Sequence, residues 1–231
     1  MKRTMIIKTF VLTSILILAV FFLVGCSEQS KEGNNATADS VSQEEYLLGL
    51  AEKADTYAEV FEILKINNSK EFQLSLANSE SNIVQEALLN YEQLTPEALI
   101  AVCENPKIPN LEEFYVKDFF VNAISNANLS EDQELRIAKT NKYPMQLGVI
   151  NRTELKSKAL MYLITSNTGW IRTLNIYQFD LRDVIKYHIV NISLTATQKE
   201  ELKNLNIDFI LNALNEKERI EFQKKVGIIK E

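Results

Sequence analysis

The sequence predicts an all-α domain, and three observations carry that expectation. Glycine and proline number only 6 and 4 in 231 residues, whereas an all-β chain needs turn residues about every 8–12 positions. Apolar residues recur at three- and four-residue steps, the spacing that lines one face of a helix. Ser or Thr also stands three places before Glu or Gln at the head of several segments, the pattern of a capping box. Leu, Lys, Glu, Ala and Gln, which favour helix, are plentiful.

The elements follow in order. Ser42, Gln43, Glu44 and Glu45 make the first capping box. Tyr46, Leu47, Leu50, Ala54, Tyr57, Val60, Phe61 and Leu64 then share one face, which predicts a single helix to about Ile66, stopped by Asn67 and Asn68. Ser69 caps a short helix over 70–77, and Ile83, Val84, Ala87, Leu88 and Tyr91 mark another that starts near Ser81. At Thr95, Pro96 and Glu97, Thr caps, Pro gives up an amide that had no partner, and Glu favours the dipole. That helix ends before Asn105 and Pro106, and Pro106 with Pro109 makes 105–110 a turn.

Leu111, Phe114, Tyr115, Lys117, Phe119 and Phe120 lead a helix to about Ser125. A second capping box, Ser130 with Gln133, opens a helix through Leu135, Ile137 and Ala138, which Tyr143-Pro144 is expected to break. Thr153, Glu154 and Leu155 begin the next, with Leu155, Ala159, Leu160, Leu163 and Ile164 as its apolar stripe and Gly169 as its stop. A helix from about Leu174 or Asp180 runs to Val190. Thr195 with Gln198, or Thr197 with Glu200, caps one to Leu205, and helices over 208–214 and 217–226 complete the chain.

Three starts share a Leu before the cap, at Thr95, Ser130 and Thr195, in steps of 35 and 65 residues. A period near 35 would stack helix pairs, but the second step is not twice the first and no tetratricopeptide or ankyrin consensus is present. The expectation is an irregular helical bundle, with a short α-solenoid of helix pairs as the alternative.

The N-terminal part is different. Lys2, Arg3 and Lys8 precede an apolar run over 10–23 that closes on Leu23-Val24-Gly25-Cys26. A basic head, an apolar run and a small residue at the cut site make an export signal. A cysteine directly after Leu-Val-Gly resembles the lipobox of bacterial lipoproteins. That resemblance covers about the first 26 residues and implies a diacylated Cys26, removal of 1–25, and a new amine open to acylation. The competing reading is an uncleaved anchor over 9–25, close to the roughly 20 apolar residues that cross a bilayer. It gives no reason for Gly25-Cys26, nor for the polar run Ser27, Glu28, Gln29, Ser30, Lys31 and Glu32 behind it.

Residues 1–25 hold three cations and no anion, so their removal takes the net charge from −6 to −9. An acidic body is repelled by an anionic envelope surface, which leaves attachment to the lipid. Each acyl CH₂ contributes about 0.8 kcal/mol, enough for stable anchoring once two chains are present. Residues 27–41 have almost no apolar side chain and read as a disordered tether. Its root-mean-square reach is about 20 Å. Residues 42–231 then form one all-α domain.

Acidic charge and export exclude nucleic acid as a partner, since phosphate binding needs Lys and Arg. Cys103 sits in the apolar run Leu99, Ile100, Ala101, Val102 and reads as a buried, inert thiol, with an intermolecular disulfide or a reactive thiol as the alternative. One His and one unlipidated Cys cannot build a zinc site. His188, beside Val184, Ile185, Ile189 and Ile192, reads as structural, and no Gly-x-Ser-x-Gly turn presents a nucleophile. No glycine-rich phosphate loop exists, so no nucleotide cofactor is expected. A solute-receptor fold, which alternates strands with helices, is disfavoured.

Carboxylates are numerous at Glu112, Glu113, Glu131, Asp132, Glu134, Asp180, Asp183, Glu200 and Glu201. Most fall in first helical turns, where negative charge favours the dipole, and none follows a calcium-loop spacing. Convergence of Glu112, Glu134, Asp180 or Asp183 in one cleft would instead make an envelope hydrolase. Phe119, Phe120 and Trp170 are candidate surface anchors for a partner, against the alternative that they fill the core or close a helix end. The sequence leads to a lipid-anchored module at the extracytoplasmic face of a bacterial membrane. It is expected to bind a protein or peptide rather than catalyse a reaction, with the carboxylate hydrolase as the second reading.

Overall fold

A computed structural model describes residues 42–106, 114–166 and 179–229, with 114–117 and 179–180 described in their backbone. These described residues contain twelve α-helices and no strand: α1 (Gln43–Ala51), α2 (Tyr57–Ile66), α3 (Lys70–Ala77), α4 (Asn82–Leu89), α5 (Pro96–Glu104), α6 (Phe114–Asn126), α7 (Glu131–Ala138), α8 (Tyr143–Ile150), α9 (Ser157–Ser166), α10 (Phe179–Asn191), α11 (Ala196–Asn204) and α12 (Asp208–Lys225). The all-α expectation holds. Cys26 and the tether fall outside the described residues, as does Trp170.

The helix starts are written in the local sequence. Ser42, Ser130 and Thr195 each accept a hydrogen bond from the third residue of their helix, whose own side chain returns to the cap amide. Ser69, Ser81 and Thr95 cap without the return bond.

Four expectations are corrected. The helix read from Thr153 begins at Ser157 instead, with the Lys156 N–H just before it held by Glu134. The single helix over 42–66 is two, because the Thr56 hydroxyl caps α2 at Glu59 N–H while the Glu59 carboxylate accepts from Asp55 N–H at 2.8 Å. A second start outcompetes continuation there. Tyr143-Pro144 begins a helix instead of breaking one, since the proline stands in the first turn where its missing amide costs nothing. Asn141, at φ 56°, makes the left-handed turn between α7 and α8. Lastly, 208–225 is one helix. Lys217, read as a fresh start, lies in its middle and is buried.

Helices α1 to α9 pack in a regular way. Each from α1 to α7 contacts the helix two places along, which puts α1, α3, α5, α7 and α9 in one layer and α2, α4, α6 and α8 in the other. This is the connectivity of a short α-solenoid. Further along, α12 packs on both α10 and α11. Phe72, Leu88, Leu99, Phe120, Ile124, Ile137, Met145, Ile150 and Leu160 are all fully buried in one core. The α6–α8 contact is close: a Cβ on Gly148 would stand 2.8 Å from Ile124 Cβ, so glycine's lack of a side chain is what the approach requires.

Buried side-chain donors tie these layers at helix C-termini. Gln85 Nε2 donates to Ala77 and Ser79 carbonyls at 3.0 and 2.9 Å, and Asn105 reaches the same two at 3.1 Å. Lys142 Nζ holds Cys103 and Asn105 carbonyls at the end of α5. Lys217 Nζ holds those of Val190 and Ile192 at the end of α10. Burial pushes the pKa of both lysines down. Arg152, between α8 and α9, donates to the carbonyls of Ile124 and Ala127 at the end of α6 and from Nε to Glu134 at 2.9 Å. The other Glu134 oxygen accepts from Lys156 N–H at 2.8 Å.

Arg152→Ala therefore strands a buried carboxylate and two carbonyls. It is expected to lower the unfolding free energy by about 3–5 kcal/mol in urea titration followed by circular dichroism. Arg152→Lys should recover only part of that loss, because one ammonium cannot reproduce the guanidinium fork. A loss below about 1 kcal/mol for Arg152→Ala would show that the pair is not integral to packing.

Candidate interaction surface

The sequence-predicted site residues do not gather in one place. Phe120 is fully buried, so it fills the core and is not an exposed anchor. Phe119 is half-buried and packs against the same core. Glu112 lies outside the described residues, as does the side chain of Asp180. Glu134 is sealed at 0 % exposure with both oxygens engaged by Arg152 and Lys156. Asp183 is exposed and pairs with Lys186 at 2.9 Å. One carboxylate thus serves a structural ion pair and the other a solvated helix face. Among the described residues no group of His, Cys, Asp and Glu is placed to hold a metal ion.

Cys103 is buried, as expected, and burial raises its thiol pKa. The thiolate, which is the nucleophile, is correspondingly scarce. His188 is 3 % exposed on α10, and its Nε2 donates at 2.7 Å to the Ile150 carbonyl, the last of α8. Burial lowers its pKa below the ordinary 6.5, against the opposing pull of that backbone bond. It behaves as another C-terminal cap that bridges two helices.

A recess forms where α10 meets α12. Asn206, at φ 51°, turns the chain sharply after α11 and directs Ile207 inward to start α12. Arg182 and Lys186, one turn apart on α10, line one wall. Asp208, Asn212 and Glu216, at four-residue steps on α12, line the other, and Ile207, Phe209 and Ala213 make the floor. The Arg182 guanidinium stands 5.8 Å from the centre of the Phe209 ring, within cation–π range. The groove holds about 450 Å³, a size in the range of ligand-binding clefts. Its walls carry opposite charge over an apolar base.

A smaller cleft of about 280 Å³ lies between the α4–α5 link and α6, with Tyr91, Leu94 and Leu99 facing Asn122 and Asn126. The Asn126 amide already donates to the Asn122 carbonyl within its own helix, which leaves fewer donors for a guest. The α10–α12 groove is the better-equipped recess.

Sequence reasoning did not single out Arg182, Lys186 or Phe209. Their spacing reads as ordinary helix positions, and only the crossing of two helices makes them face one another. Among the described residues no helix is long and apolar enough to cross a membrane. No family model, curated protein or solved structure matches the chain.

The depressed His188 pKa has a defined consequence. The unfolded chain takes up a proton near pH 6.5 while the folded chain resists it, so stability is fully present above about pH 6.5 and falls as pH drops below that value. Thermal melts between pH 7.5 and 5.5 should show a fall in Tm that His188→Gln, which keeps an amide donor for the Ile150 carbonyl, largely removes. An equal fall in both proteins would place the acid sensitivity elsewhere.

Proposed function

We propose that this chain is a lipoprotein of the bacterial envelope, held at the extracytoplasmic face of the membrane by lipid on Cys26, whose helical body binds a protein or peptide. The observation that carries the binding half is the groove between α10 and α12, with Arg182 and Lys186 opposite Asp208 and Glu216 over Ile207, Phe209 and Ala213. Opposed charges suit an extended segment that presents both signs, and the apolar floor supplies a seat for one side chain. Support for the anchoring half is the sequence Leu23-Val24-Gly25-Cys26 behind a basic head and an apolar run. The excess of acid in the body fits lipid, rather than charge, as the main attachment. Roles of this class include immunity, exclusion and assembly of an envelope complex.

The two halves are tested separately. Expressed in a bacterial host, the protein should lose residues 1–25, gain the mass of a diacylglyceryl group and fractionate with membranes, while Cys26→Ala should do none of these. Unchanged mass and location in the variant would mean that 9–25 is an uncleaved anchor.

For the groove, a photo-crosslinking residue at Asn212 should give a discrete adduct in cells that the same residue at Glu52, exposed on the first helix's far end, does not. Phe209→Ala should weaken capture by roughly 30-fold, the effect of removing a central anchor worth about 2 kcal/mol. Identical adducts from Asn212 and Glu52, or no loss with Phe209→Ala, would rule out the groove as the binding site.

A further inference from the structure

The C-terminal end of α12 combines exposed apolar side chains with exposed lysines. Phe222, Val226 and Ile228 are 62, 50 and 67 % exposed, and Ile229 is exposed beside them. Phe222 and Val226 stand one turn apart on a common face. The chain then leaves the helix through Gly227 at φ 75°. Gly227 N–H donates to the Lys224 carbonyl and Ile228 N–H to that of Gln223, the paired bonds of a Schellman motif that fold the residue after the glycine back toward the last turn. The apolar tip therefore has a fixed backbone and is not a frayed end.

Charge is equally one-sided. Lys224 and Lys225 are exposed between the apolar residues, and 222–229 contains no acid. Of the acids on the preceding turns of α12, Glu221 is engaged by Lys199 at 2.7 Å and by Lys217 at 3.6 Å, and Glu218 by Lys203 at 2.9 Å. The result is a small amphipathic tip, cationic and apolar, on a body that is otherwise acidic.

We propose that this tip is a membrane-contact site for an anionic lipid surface, with Phe222, Val226, Ile228 and Ile229 entering the headgroup boundary and Lys224 and Lys225 meeting the lipid phosphates. Apolar side chains interleaved with lysines are what interfacial segments use, area supplying insertion and cations supplying attraction to acidic lipid. A second copy is the poorer occupant, because a two-fold contact would set Lys224 and Lys225 against their own equivalents. The site goes beyond the lipid on Cys26 and rests on that reading: it would give the helical body a second contact with the membrane.

The test uses the membrane-derived protein reconstituted into vesicles, with Val226→Cys carrying an environment-sensitive fluorophore. Cys103 is buried and does not compete for the label. With phosphatidylglycerol in phosphatidylcholine vesicles, the emission should shift blue and become shielded from iodide. In phosphatidylcholine alone, or in high salt, it should remain aqueous. Each of Lys224→Ala and Lys225→Ala should lower the ratio of docked to undocked tip about fivefold, at about 1 kcal/mol per lysine near an acidic surface. A label at Glu52→Cys should stay aqueous throughout. The mass of the same sample reports acylation of Cys26, so loss of the anchor reading and loss of the tip proposal are separate results. Emission that is indifferent to phosphatidylglycerol, or a blue shift that appears without lipid as protein concentration rises, would overturn the membrane site; the latter would identify self-association instead.

Discussion

Short helices are mostly ends, and that constraint governs this fold. Four of the helices, α3, α4, α7 and α8, are eight residues long. A helix leaves its first four amides and last four carbonyls without internal partners, so in these the open groups equal the number of residues. An unmet buried polar group costs about 1–3 kcal/mol. The chain answers differently at the two termini. N-terminal amides are met locally in most helices, by Ser or Thr immediately before the helix, though α8 and α12 start without a side-chain cap. C-terminal carbonyls are met from a distance, by Gln85, Asn105, Lys142, Arg152, His188 and Lys217.

Distant capping has a mechanical consequence. Because each donor comes from another helix or link, satisfying the carbonyls also fixes how the layers sit. Arg152 joins the end of α6 to Glu134 of α7, and His188 joins α10 to the end of α8. The apolar core supplies most of the favourable free energy through burial, but it is non-directional. The polar caps add direction, which is one reason an eight-residue helix can hold a single position in a stack. Gly148 has the complementary role, since its bare backbone lets α8 meet Ile124 of α6.

A stacked array also explains where the groove and the apolar tip arise. Within this array α3 to α7 each have a neighbour on both sides in their own layer. Near α10 to α12 that coverage runs out, and a charged groove and an apolar tip are left on the same helix, one at each end of α12. Terminal elements of solenoids ordinarily need a polar outer face. Exposed Phe222 and Ile228 depart from that rule, and the departure gives the tip its meaning.

What the sequence by itself determined was local. Helix class, the starts at Ser42, Ser69, Ser81, Thr95, Ser130 and Thr195, the burial of Cys103 and the structural role of His188 follow from side chains within a few positions of one another, where capping bonds and apolar periodicity operate. The expectation of an export signal ending at Cys26 rests on the same short range. Errors arose where two local signals competed: Thr56 could continue or restart a helix, and Pro144 could end or begin one. Tertiary structure alone decided the two-layer packing, the partner of Arg152, the burial of Lys217 in the middle of α12, and the facing of Arg182 with Phe209. Those depend on residues tens of positions apart that meet only when helices cross, and no periodicity within a segment encodes the crossing.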